Sequence, residues 1–281
     1  LLVFLPGRRD IQQFIDASAT QLPDQPLDVL PLFGDLDSAA QDRVLRPALR
    51  PRRRVIAATD IAETSLTIEG VTAVVDSGLA RRPSFDPATG LTRLKTVRIS
   101  RASAQQRAGR AGRLGPGRCY RAWTEARHAR LEEAVVPELQ QADLAPAALQ
   151  VAAWGSDIEA LAWLDKPPSG AWAAGLELLE ALGAVTASGT LTARGQRMAK
   201  FPAHPRLAHL LDAASNAEQQ QLAADIAAIL SERDPIRRGS ATVAGVDLAA
   251  RLDLLVRFRN HQQLPAMADL AALRRIDKVA Q

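Results

Sequence analysis

Residues 1–33 read LLVFLPGRRDIQQFIDASATQLPDQPLDVLPLF. An apolar run, Leu1–Leu5, ends in Pro-Gly; a helical segment follows at about Arg9–Ala19, and a second apolar run covers Val29–Phe33. Apolar runs of about four to eight residues bounded by turn residues read as strands. The unit is therefore strand–helix–strand. The pattern continues with a helix at about Ser38–Leu45, strands at Val55–Ala58 and Val71–Asp76, and a last strand at Cys119–Trp123. Strands rich in Val, Leu and Ile that alternate with helices predict an α/β domain with a parallel sheet covered on both faces. Such sheets gather ligands at the carboxyl ends of their strands. FLPGRR (4–9), AATDIAETS (57–65) and VVDSGLARR (74–82) each place polar residues there.

The chain has 281 residues, 47% of them hydrophobic, enough for two domains or three small ones. Its apolar runs are too short to span a bilayer, and residues 1–20 carry no signal-peptide pattern. A single cysteine, Cys119, excludes an internal disulfide and fits a reducing cytoplasm. His128, His204, His209 and His261 lack metal-ligand spacing, so no metal site is expected. The chain opens without Met on a buried-type apolar run, which reads as a piece of a longer polypeptide.

Charge is unevenly spread. Residues 1–137 hold 21 Lys/Arg against 15 Asp/Glu, whereas residues 138–281 hold 14 against 16. Within 81–118 there are ten basic residues and one acid, Asp86. A field that localised favours phosphate, on a nucleotide or along a nucleic-acid strand, although a solvated basic surface would look the same.

Between Arg82 and Ser100 the strand–helix alternation breaks. Two extended arms flank Asp86-Pro-Ala-Thr-Gly90, a composition that predicts a β-hairpin, either a decorated edge or a tool that touches nucleic acid. From Pro137 the texture turns to Ala- and Leu-rich helix. The boundaries expected are 1–130 for the α/β domain, 131–203 for a winged-helix module with a small strand pair, and 204–281 for a helical bundle.

SRASAQQRAGRAGRLG (100–115) carries four arginines and no acid. On a helix over 104–113, Arg110 falls at about 40° and Arg113 at about −20° from Gln106, while Arg107 points about 100° away. Gln106, Arg110 and Arg113 thus form one stripe. Gly109 and Gly112 each cost a helix about 1 kcal/mol relative to Ala, so close approach to a ligand or a neighbouring domain is expected there. Guanidinium groups bind phosphate oxygens bidentately and stay charged. Two of them with an amide suit the charge on a transferring phosphoryl group.

These residues also carry a resemblance. QRAGRAGR (106–113) looks like motif VI of superfamily 2 helicases, ATDIAETSLTIEGV (58–71) resembles motif V of the DEAH/RHA group, and VFLPGRRDI (3–11) resembles its motif IV. VVDSG with RPSFDPATGL is similar to that group's strand-separating hairpin. DLAPAALQVAAWG, LAWLDKPPSGA, LTARGQRMAKFPAHPRLAHLL and AAILSERDPIR look like the winged-helix and ratchet segments of bacterial HrpB-type helicases. The resemblance implies a second RecA-like domain followed by a winged helix and a ratchet-like bundle, all belonging to an ATP-dependent RNA helicase.

It further implies that Gln106 and Arg110 contact the γ-phosphate of ATP and that Arg113 is the arginine finger. Asp60 would sit near the nucleotide, where the group more often has Asn; a loop or capping role is open for Asp60 and Glu63. Thr59, Thr64, Ser65 and the backbone amides near Gly7 and Arg8 would hold the strand's phosphates. Arg107 would brace neighbouring structure. Phe85 would stack on a base or pack in the core. No G-x-x-x-x-G-K-[ST] loop and no Asp-Glu pair for Mg²⁺ is found. The resemblance puts both in a first RecA-like domain before residue 1, so ATP and Mg²⁺ would be shared with that domain and the isolated chain would be inactive. Three other readings stay open: a non-catalytic RNA-binding or regulatory module derived from a helicase, a DNA-directed helicase, and a protein-interaction scaffold built on the helical tail.

Overall fold

The computed structural model describes residues 1–23, 25–46, 53–64, 66–86, 91–113, 115–237 and 247–281. The chain divides into two compact units, Leu1–Ala142 and Asp143–Gln281.

In the first unit the strands β1 (Leu2–Phe4), β2 (Leu27–Leu32), β3 (Arg53–Ala58), β4 (Ala73–Asp76) and β7 (Arg118–Arg121) form one sheet in the order β2-β3-β1-β4-β7. Every pairing in it is parallel. Helices α1 (Arg8–Gln21), α2 (Ser38–Leu45) and α3 (Arg101–Gly109) connect the strands, and α4 (Glu125–Ala129) follows β7. Alternation explains the central strand: Leu2 and Phe4 enter one core with Leu32, Val44, Ile56, Ala58, Val74 and Ala111. Val3, between them, is buried on the opposite face. A strand buried on both sides must be apolar throughout, and β1 is.

β5 (Leu79–Asp86) and β6 (Leu91–Arg98) pair antiparallel as the expected hairpin, whose turn at 87–90 lies outside the described residues. Its root is anchored by Ala80, Ile99, Ala104 and Trp123. Gly78 makes this possible: its φ of +74° is a left-handed conformation, and an added Cβ would stand 2.7 Å from the Trp123 ring.

The first unit runs to Ala142, past the boundary of 130 expected from composition. The amides of Arg101 and Ala102 donate to the carbonyls of Glu132 and Glu133 at 2.8 and 3.0 Å, tying the segment after α4 to the start of α3.

The second unit holds α5 (Ala145–Ala153), α6 (Ser169–Ala181), α7 (Ala193–Met198), α8 (Pro205–Ala213), α9 (Ala217–Ser231), α10 (Leu248–Arg259) and α11 (Leu270–Val279). Gly175 on α6 would place a Cβ 3.0 Å from the Ala145 nitrogen, so its smallness lets α6 and α5 meet. The small strand pair is reduced to one antiparallel bridge, Val185 with Leu191. Ile229, Leu254, Leu255, Leu273 and Ile276 form the core of the last three helices.

Candidate functional site

Strand register sets the site. Phe4 lies beside Ala58 and Asp76, Ala58 beside Leu32, and Asp76 beside Arg121, so five strands end in one row. Strand order reverses at β1, and the crevice at such a reversal is where α/β sheets take ligands. Past that row come Gly7 and Arg8 from β1, Thr59 and Asp60 from β3, and Ser77 and Gly78 from β4.

Gly7 caps α1 in extended conformation, its α-carbon close to the Arg81 guanidinium: an added Cβ would stand 3.1 Å from Nε. Arg8 is exposed, with its guanidinium 5.4 Å from the centre of the Phe33 ring. Thr59 begins a 3-10 turn, Asp60–Ala62, without a side-chain capping bond, and Thr64 is exposed. Ser65 lies outside the described residues. Asp60 pairs with Arg82 of β5 at 3.4 Å, both side chains about one-third exposed. That contact joins the turn after β3 to the hairpin. Phe85 is half-buried, and the β6 residues Thr92–Arg98 are exposed.

The arginine segment departs from the helix expected over 104–113. α3 ends at Gly109, and Arg110, Ala111 and Gly112 donate to the carbonyls three residues back. Arg110 therefore leaves the exposed stripe. It is 5% exposed, and its Nε donates to the Glu63 carbonyl at 2.8 Å and its Nη1 to the Leu66 carbonyl at 2.6 Å. Nη2 also donates to the Glu63 carbonyl. Burial, then the neighbouring Arg113 charge, lowers the Arg110 pKa, and Glu63 opposes them. Gln106 and Arg113 remain exposed, with no hydrogen bond or ion pair among the described residues. A Cβ on Gly109 or Gly112 would meet nothing within 4 Å, so packing among the described residues explains neither glycine.

Arg107 is wholly buried. Its Nε donates to Glu63 Oε2 and its Nη1 to Asp76 Oδ1, both at 2.9 Å. Nη1 also donates to the Leu79 carbonyl at 3.2 Å, and the guanidinium lies 4.8 Å from the centre of the Phe4 ring. One side chain thus ties together β1, the turn after β3, the end of β4 and the hairpin root. The bracing role implied for Arg107 is what this geometry performs.

The family model for the helicase conserved C-terminal domain matches residues 1–115, and that for the helicase associated domain (HA2), winged-helix, matches residues 175–203. The chain is 43% identical to the ATP-dependent RNA helicase HrpB of Escherichia coli over 86% of its own length and 29% of that protein. It is 39% identical to a pre-mRNA-splicing factor ATP-dependent RNA helicase of Schizosaccharomyces pombe, over 75% of this chain and 19% of that one. The crystal structure of the Escherichia coli DEAH/RHA helicase HrpB superposes with a TM-score of 0.80 at 38% identity, covering 99% of this chain and 33% of that one. Domain matches, sequence identity and superposition together support a DEAH/RHA-type, HrpB-like helicase. The chain spans about a third or less of the length of these relatives.

Seen as an HrpB-like domain, the first unit carries two residues whose importance the sequence reading understated, Glu63 and Asp76. Glu63 closes the Asp60–Ala62 turn, its amide donating to the Asp60 carbonyl, and also carries a buried carboxylate, and Asp76 is fully buried with Oδ2 unpartnered among the described residues. A signal was available. Residues 81–118 hold one acid, so a buried arginine there must draw its counter-charges from elsewhere. Motif V and the end of β4 supply them.

Proposed function

We propose that this chain is the second half of an ATP-dependent RNA helicase motor. Arg113 acts as the arginine finger on the γ-phosphate, Gln106 and Arg110 contact the same group, and Asp60 lies at the nucleotide's edge. Thr59, Thr64, Ser65 and the amides near Gly7 and Arg8 hold the phosphates of a single RNA strand, and the β5–β6 hairpin parts the duplex. The domains after the motor divide at 131–203 and 204–281 into winged helix and ratchet.

One observation carries this reading. Gln106 and Arg113 stand exposed, with no side-chain partner among the described residues, beside two glycines that meet nothing within 4 Å there. A face of that composition suits an anion presented by a second domain, because guanidinium and amide donors have no acceptor there. ATP supplies a phosphoryl group whose transfer to water releases the free energy for domain movement. Among the described residues no group of three His, Cys, Asp or Glu side chains is placed to hold a metal ion. The Mg²⁺ ligands are accordingly assigned to a first RecA-like domain of the full-length protein. No helix among the described residues is long and apolar enough to cross a membrane, and a cytoplasmic setting goes with this reading.

The test is RNA-stimulated ATP hydrolysis by the full-length protein. Arg113→Ala is expected to lower kcat by roughly 10³-fold or more while RNA affinity stays within about twofold of wild type. Lost RNA affinity with intact hydrolysis would assign Arg113 to the strand instead. The isolated chain is expected to hydrolyse no ATP; turnover abolished by Arg113→Ala in the isolated chain would overturn the composite site.

A further inference from the structure

Arg110 is placed to meet the γ-phosphate in the reading above, yet its donors are already spent. Nε and Nη2 form the fork that grips an oxyanion bidentately, and here both donate to the Glu63 carbonyl. Nη1 holds the Leu66 carbonyl. Three of the five guanidinium N–H groups are taken by the two ends of the segment 63–66. That segment contains Thr64, assigned above to the RNA strand. The segment is held separately by the Glu63 carboxylate on Arg107, by the Glu63 amide on the Asp60 carbonyl and by Leu66 against the sheet core.

We propose that Arg110 is a two-position latch between nucleotide and RNA. In the position seen here it fixes the main chain on both sides of Thr64. To grip a phosphate bidentately it must release the Glu63 carbonyl, and that carbonyl is then left without its donors, which is costly where water is scarce. Arg107 does not move with it, because its ion pairs are wholly buried. The segment therefore loosens without detaching. Phosphate capture by Arg110 and strand grip by Thr64 compete, and by linkage RNA weakens phosphate capture by the same factor. This rests on the assignment of ATP and RNA made above.

The experiment measures binding of a labelled single-stranded oligouridylate to the full-length protein, with and without a saturating non-hydrolysable ATP analogue and Mg²⁺. Wild type should bind RNA roughly tenfold more weakly with the analogue present. Arg110→Ala should lower RNA affinity in the absence of nucleotide towards the analogue-bound wild-type value, with the ratio falling to near one. Arg110→Lys keeps a charge for phosphate but lacks the planar fork that donates twice to the Glu63 carbonyl; it should retain measurable analogue binding and also lose the ratio. The latch is overturned if wild type binds both ligands with a ratio of one. It is equally overturned if Arg110→Ala leaves nucleotide-free RNA affinity unchanged, or if Arg110→Lys keeps the wild-type ratio. Failure of wild type to bind RNA or the analogue at all would instead sink the helicase reading. Because wild type alone can contradict the latch, misfolding of a variant does not protect it.

Discussion

Arg107 and Arg110 stand three residues apart and grip the same glutamate at different atoms, one by its carboxylate and one by its main-chain carbonyl. Their consequences differ. Removing the charge of Arg107 leaves Glu63 and Asp76 buried and uncompensated, and breaking a buried ion pair costs about 3–5 kcal/mol. Arg107→Met should lower the unfolding free energy by that amount, read as a lower urea midpoint at unchanged slope, with loss of tertiary signal from the first unit. The glycines offer a matched contrast. A Cβ at Gly117 would fall 2.1 Å from the Ala111 carbonyl oxygen, so Gly117→Ala should destabilise by about 1–3 kcal/mol through overpacking. Gly109→Ala has open space and should raise stability by up to about 1 kcal/mol. If the proposed first RecA-like domain closes on this face, the same methyl group in the full-length protein should slow RNA-stimulated ATP hydrolysis. Wild-type turnover in Gly109→Ala would contradict that closure.

At the scale of elements, hydrophobic pattern made the strands and α2 legible, and the hairpin was readable from its turn composition. The end of α3 was not. Gly109 and Gly112 weaken the helix but do not say where it stops, and the Glu63 and Leu66 carbonyls, far away in sequence, hold the Arg110 side chain out of the stripe. Periodicity gives a direction around an axis but not the partner waiting there. The winged-helix strand pair was legible as a turn and shrank to a single bridge. Between α7 and α8, Arg197 donates to Asp212 at 2.5 and 2.9 Å. That hydrogen bonding, against burial, holds the Asp212 carboxyl below its ordinary range. A carboxyl depressed in the folded state adds stability above the unfolded pKa of about 3.9 and loses it as pH falls further. Thermal melts of wild type should therefore drop from near pH 4 downward, and Asp212→Asn should flatten that acid limb.

For the whole molecule, the excess of basic residues lies in residues 1–137 and the slight acidic excess in the rest. Three segments were expected, 1–130, 131–203 and 204–281; the chain divides after Ala142 into two compact units, and main-chain bonds from Arg101 and Ala102 to Glu132 and Glu133 tie the stretch after α4 to α3. What the sequence conveyed about the site was its residue types and their rim. Which arginine is free and which is committed depended on contacts between motifs. If RNA runs along this rim, its affinity should fall steeply between about 50 and 200 mM salt, and log K against log salt should be linear. A flat salt response would leave the basic surface without a strand.

Asp76 Oδ1 accepts from both the Gly78 amide and Arg107, and Arg107 also holds Leu79, the first residue of the hairpin. In the proposed motor, force carried along β5 and β6 would reach this junction, and Arg107 would pass it on to α3. Because the hairpin root and α3 share one mount, a load on a duplex-parting hairpin would be felt at α3 as strain.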